Sequence, residues 1–137
     1  MNNHTANTEV SQKEIRNHIL WVDDNPRNNL PARHILEAMG LRFTLALSTE
    51  EALRAMAHTE FAAIISDMGR REGPREGYVL LDTLRNRGNR TPLFFFAGSA
   101  DPEHRRETLQ HGGQGCTNHY QELIQAVVRA VILRESA

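Results

Sequence analysis

Four short stretches of this chain are almost wholly apolar, and each is followed by a polar loop and an amphipathic segment. The runs are residues 18–22 (HILWV), 42–47 (RFTLAL), 61–66 (FAAIIS) and 92–96 (PLFFF). A strand covered on both faces needs no alternation of apolar and polar residues, so each run is expected to be a buried strand. The intervening segments carry helical spacing. Leu30, Ile35, Leu36 and Met39 mark a helix over residues 29–39, with Gly40 as its stop. Ser48 opens the next helix, and Glu51 three positions later completes a capping box; Ala52, Leu53, Met56 and Ala57 form its apolar face. Val79, Leu80, Leu81 and Leu84 stripe residues 78–87. Asp101 or Ser99 caps a helix running to about residue 111, with Pro102 in its first turn. Residues 115–118 form a short fifth strand, and Leu123, Val127, Val128 and Val131 mark a last helix over 120–133.

Strands alternating with helices in this way predict an α/β fold, (βα)5. Its parallel sheet is doubly wound, with helices on both faces and the flavodoxin-like strand order 2-1-3-4-5. A length of 137 residues is one domain's worth, expected over residues 18–137 behind a polar tail over residues 1–17 that holds a short helical turn near 14–17. The hydrophobic share of 39% and charged share of 24% suit a soluble globular chain. Sixteen basic residues against 17 acidic leave a formal charge of −1, so neither nucleic acid nor an anionic membrane is expected as a partner. No apolar run approaches the roughly 20 residues that span a bilayer. A single cysteine, Cys116, forms no internal disulfide and is compatible with a reducing cytoplasm.

In open α/β sheets, ligands bind beyond the carboxyl ends of the strands, where strand order reverses. Asp23 and Asp24 follow the first strand and Asp67 follows the third, so three carboxylates are expected to converge on one pocket. Carboxylates that close resist ionising together unless a cation offsets them, and Mg²⁺, with its preference for oxygen ligands, is the natural one. The backbone carbonyl of Gly69 is a further candidate ligand. Such a pocket suits phosphoryl transfer, with a carboxylate oxygen of Asp67 as nucleophile. The alternative for each acid is a structural role in capping a helix. The histidines are scattered singly, which argues against a zinc site, and Cys116 is expected to be buried and structural. Phe94, Phe95, Phe96 and Trp21 are expected in the core.

The segments ILWVDD and AIISDM, in register with the (βα)5 order, resemble the receiver domain of two-component response regulators over about residues 18–134. The resemblance implies that Asp23 and Asp24 bind Mg²⁺. It implies that Asp67 takes a phosphoryl group from a histidine kinase or phosphotransfer protein. The domain would then be a signalling module, not an enzyme, acting on a downstream protein partner as a monomer or homodimer. A change of surface near strand four, helix four, strand five and helix five would carry the signal.

The sequence also departs from the family. The hydroxyl residue usual at the end of strand four falls on Ala97, and the lysine usual at the end of strand five falls on His119. These two stand 22 positions apart, which agrees with the family's spacing. A strand longer by two residues would put Ser99 in the hydroxyl position instead. Lys13 is the sole lysine, so strand five carries none in any register. Cys116 stands where many receivers have an aromatic residue, and Tyr120 where they have proline. The loop after Asp67 is longer by about two residues, and Arg70, Arg71 and Arg75 are read there as a solvated charge run; the alternative swings one of them into the pocket as a phosphate fork. His119 either pairs with the phosphate when protonated or is an exposed loop residue.

Two other readings stand beside the phosphorylated receiver. One is a pseudo-receiver that keeps the fold as a docking module without regulated phosphorylation. The other, a phosphatase using an Asp-x-Asp nucleophile, fits poorly because Asp23 and Asp24 are adjacent.

Overall fold

The computed structural model describes residues 17–71, 73–98 and 101–133. Lys13, Ser99 and the tail up to residue 16, with most of the turn expected there, lie outside these residues. Five parallel strands, β1 (His18–Val22), β2 (Arg42–Ala46), β3 (Ala63–Ser66), β4 (Leu93–Phe96) and β5 (Gly115–Thr117), form one sheet in the order β2-β1-β3-β4-β5. The helices between and after them are α1 (Leu30–Ala38), α2 (Thr49–His58), α3 (Glu76–Asn86), α4 (Pro102–Gln110) and α5 (Tyr120–Val127). A 3-10 turn, Pro26–Asn29, leads into α1, and a π-helical turn, Val128–Ile132, continues α5. The fold class and strand order are those expected from the sequence.

Side chains alternate across each strand and so feed two cores. Leu20, Val22, Ile64, Leu93 and Phe95 pack with Ala52 of α2 and Leu80, Leu81 and Leu84 of α3. On the other face, Ile19, Trp21, Ile65 and Phe94 pack with Ala32 and Leu36 of α1, and with Leu123, Val127 and Val131 at the C-terminal end. Strands sandwiched in this way bury both faces, which is why β1 and β3 read as continuous apolar runs. Cys116 is buried as expected, and burial pushes its thiol pKa up.

Local signals hold the helix ends. Ser48 Oγ accepts from the Glu51 amide at 3.0 Å, while Glu51 Oε1 reaches back to the Leu47 amide at 3.1 Å, one residue before the cap. Asp101 caps α4 by accepting from the Glu103 amide at 2.8 Å. Gly40, with φ of +98°, turns the chain out of α1 in a conformation that side chains resist.

The apolar face expected for α1 is corrected. Leu30, Ile35 and Met39 are 40%, 49% and 46% exposed, and the buried positions are Asn29, Ala32 and Leu36. The physical reason is a polar residue at the head of the stripe. Asn29 donates through Nδ2 to Asp23 Oδ2 at 3.2 Å, so a polar residue occupies the head of the inward row 29, 32, 36, whose Ala32 and Leu36 pack in the core.

One close approach fixes α3 against the strand ends. A Cβ on Gly77 would lie 2.6 Å from Cε1 of Phe95 and 2.8 Å from the backbone oxygen of Asp67. Gly77→Ala is therefore expected to destabilise the domain by about 1–3 kcal/mol, through overpacking against a backbone with no room to give. A lowered urea midpoint checks this; an unchanged midpoint would contradict the packing described.

Candidate functional site: an acidic pocket with a buried arginine behind it

Strand pairing brings the acids together. Val22 and Ser66 are partners across β1 and β3, so the next residues, Asp23 and Asp67, emerge side by side at the carboxyl edge. The Asp67 amide donates to the Val22 carbonyl at 3.0 Å, and the Asp23 amide to the Ala46 carbonyl at 2.9 Å, holding both backbones as extensions of the sheet. Asp23, Asp24 and Asp67 each offer a carboxylate oxygen, and these atoms lie within 4.8 Å of one another. The three acids, Gly69, Ala97 and Asn118 help line a cavity of about 400 Å³.

Each carboxylate is steadied by a donor of the protein. Asp23 Oδ1 accepts from the Asn25 amide at 2.8 Å, in addition to the bond from Asn29, and Asp24 Oδ2 accepts from the Arg71 amide at 2.9 Å. Asp67 Oδ1 accepts from Nη1 of Arg70 at 2.6 Å. Asp67 Oδ2 accepts no hydrogen bond among the described residues.

Arg70 corrects the expectation of a solvated charge run. Its side chain has no exposed surface, while that of Asp67 is 15% exposed. Nη1 also lies 3.3 Å from Ser66 Oγ; Nη2 donates to Thr49 Oγ1 and lies 3.4 Å from the Glu76 carbonyl. Arg70 and Gly73 exchange backbone hydrogen bonds of 2.9 Å, closing the loop on itself. Further along, the Arg75 side chain pairs with Glu107 of α4 and lies 4.8 Å over the Tyr78 ring. The three arginines are thus three anchors of one strap: the Arg70 side chain on Asp67, the Arg71 backbone on Asp24, and the Arg75 side chain on α4.

On the opposite wall the groups are sparse. Ala97 lines the cavity and donates its amide to the Thr117 carbonyl at 3.0 Å, but carries no hydroxyl. His119 is exposed at the N-cap of α5, and Asn118 reaches the cavity lining in its place. Ser99 lies outside the described residues. Sequence reasoning missed Asn118, Asn29 and Thr49. Only Asn29 left a signal, as a polar residue at the head of a helical stripe.

The donor set fits a divalent cation. Three carboxylates and one guanidinium leave two negative charges uncompensated, and every ligand atom on offer is a hard oxygen. Gly69 belongs to the same lining. Without a cation, burial pushes the Asp67 pKa up to about 6, and the nearby charges of Asp23 and Asp24 add to the rise while Arg70 opposes it.

The profile of the response regulator receiver domain matches residues 19–127. Among solved structures, the receiver domain of the Francisella response regulator 1452 is 23% identical, covering 86% of this chain and 98% of its own, with a TM-score of 0.76. The signal receiver domain of a signal transduction histidine kinase from Syntrophus aciditrophicus is 26% identical, covering 88% of this chain and 94% of its own, with a TM-score of 0.71. The chemotaxis response regulator CheY4 of Vibrio cholerae is 23% identical, covering 82% and 96%, also with a TM-score of 0.71. Among curated proteins, none matches the chain.

The raised Asp67 pKa has a definite sign for stability. A carboxyl whose folded pKa exceeds its ordinary value of 3.8 contributes stability that is fully present below about pH 4 and is lost as pH rises through about 6. In metal-free protein, the stability of the wild type relative to Asp67→Asn is therefore expected to fall by on the order of 2–3 kcal/mol between pH 4 and pH 7. Urea unfolding across that range checks it; a difference independent of pH would contradict the burial of this carboxylate.

Proposed function

Because the chain belongs to the response regulator receiver family, we propose that residues 18–137 act as a receiver that accepts a phosphoryl group on Asp67 with Mg²⁺ and signals through protein contacts. The observation that carries this reading is the convergence of three carboxylates within 4.8 Å, with one oxygen of Asp67 accepting no hydrogen bond. That oxygen is the nucleophile. A phosphohistidine on a histidine kinase or phosphotransfer protein supplies the phosphoryl group. A P–O bond forms to the carboxylate as the P–N bond breaks, and the electron pair returns to the imidazole nitrogen, which takes a proton. Asp23, Asp24, Asp67 and the Gly69 carbonyl would hold the Mg²⁺, whose charge offsets that of the phosphoryl oxygens. Asn29 and the Asn25 amide orient Asp23, and the Arg71 amide orients Asp24. A protein partner downstream, bound by the monomer or a homodimer, receives the signal.

A specific observation favours a second reading. Asp67 already has a charged partner in Arg70, and Ala97 offers the phosphoryl group no hydroxyl. A pseudo-receiver that docks partners without regulated phosphorylation would tolerate both features.

Acetyl phosphate, or beryllofluoride with Mg²⁺, separates the two. The expected outcome is a spectroscopic and mass change in the wild type, absent in Asp67→Asn. A wild type that responds to neither reagent, at Mg²⁺ concentrations that saturate ordinary receivers, would leave the docking module as the surviving account.

A further inference from the structure

Arg70 is held on several sides at once. Its side chain is sealed from solvent, and its guanidinium bridges three parts of the fold: Asp67 and Ser66 at the end of β3, Thr49 in the first turn of α2, and the carbonyl of Glu76 at the first residue of α3. We infer that Arg70 reads the phosphoryl state of Asp67, and that its partners carry the reading to the amino ends of α2 and α3. The inference rests on the proposed phosphorylation and names how that site is regulated.

The argument follows the charge. Phosphorylation converts the Asp67 carboxylate to an acyl phosphate. The carboxyl oxygens lose their negative charge, and the phosphoryl oxygens carry it instead. Arg70 therefore loses a charge-assisted acceptor at Asp67 Oδ1, while a stronger one appears on the phosphoryl group carried by the other carboxyl oxygen. A guanidinium shut off from water cannot turn to solvent, because a buried cation without a partner is strongly destabilising. The displaced charge therefore draws it along. Any such displacement stretches or breaks the bonds to Thr49 Oγ1 and the Glu76 carbonyl, since one planar fork makes all of these contacts.

Among the described residues, the opposite wall shows no equivalent device. Ala97 has no hydroxyl to swing toward a phosphate, and His119 stands exposed at the N-cap of α5. Among the described residues, Arg70 is the cationic side chain that touches Asp67. The response therefore belongs on the α2–α3 side of the pocket and not on the α4–β5–α5 side that the family resemblance led us to expect.

Backbone amide spectra of the full chain, recorded with and without beryllofluoride and Mg²⁺, test this. Two variants make the test selective. Arg70→Lys keeps a cation beside Asp67 but cannot hold Asp67, Thr49 and Glu76 at once. Thr49→Val removes one acceptor from the relay and leaves the acidic pocket untouched. In the wild type the large shifts are expected at residues 48–52 and 75–79. Thr49→Val should still take the beryllofluoride adduct on Asp67 and lose the shifts at 48–52, and Arg70→Lys, once its adduct is formed, should lose them too. If the wild type forms the adduct but its shifts are confined to residues 96–98 and 115–127 and persist unchanged in both variants, the inference is overturned and phosphorylation stands. If the wild type forms no adduct, the phosphorylation reading falls and the inference with it.

Discussion

The ion pair between Arg70 and Asp67 sets the terms for everything around it. A guanidinium without exposed surface is costly to bury, and the cost is offset only where each of its N–H groups finds an acceptor in good geometry. The loop after β3 folds back on itself through the Arg70–Gly73 bridge, and Thr49 and the Glu76 carbonyl join Asp67 and Ser66 around the guanidinium. Gly77 belongs to the same arrangement: α3 lies so close to the backbone of Asp67 that no side chain fits between them.

The pair also divides the pocket into two halves of opposite character. In front stand Asp23, Asp24 and the Asp67 oxygen that accepts no hydrogen bond among the described residues. Behind stands a fixed positive charge that partly neutralises the nucleophile and keeps it from rotating. Receivers resembling this one usually place their cation on strand five, where it can approach from outside. Here the cation comes from the loop, from within, and it is already in contact before any phosphate arrives. A site built this way already holds a network of hydrogen bonds on its nucleophile side.

Much of the fold was legible because it rests on periodicity and on the chemistry of strand ends. Residues 18–22 form β1 with the expected bounds, and the order of strands follows from their alternation with helices. The convergence of Asp23, Asp24 and Asp67 follows from the register of two neighbouring parallel strands. What escaped has physical reasons. The face of α1 was misassigned because apolar spacing alone cannot show that a buried Asn29, bonded to Asp23, heads the inward row. Arg70 was misread because a charged residue among other arginines carries no sign of burial; only its acceptors, Thr49 and a backbone carbonyl, reveal it. His119 matched the family spacing by count, yet Asn118 lines the cavity. The path of the three-residue strand β5 into the cap of α5 decides which side chain faces inward, and spacing alone does not express that path.

The most direct test of this account is a double-mutant cycle on stability between Arg70→Met and Asp67→Asn, in metal-free protein above pH 7, where Asp67 is ionised. If the pair is the constraint on which the site is built, Arg70→Met should change stability by clearly different amounts in the wild-type and Asp67→Asn backgrounds. The coupling is then expected at about 2–3 kcal/mol. Effects that add to within about 0.5 kcal/mol would contradict it and return Arg70 to the solvated loop that its sequence suggests.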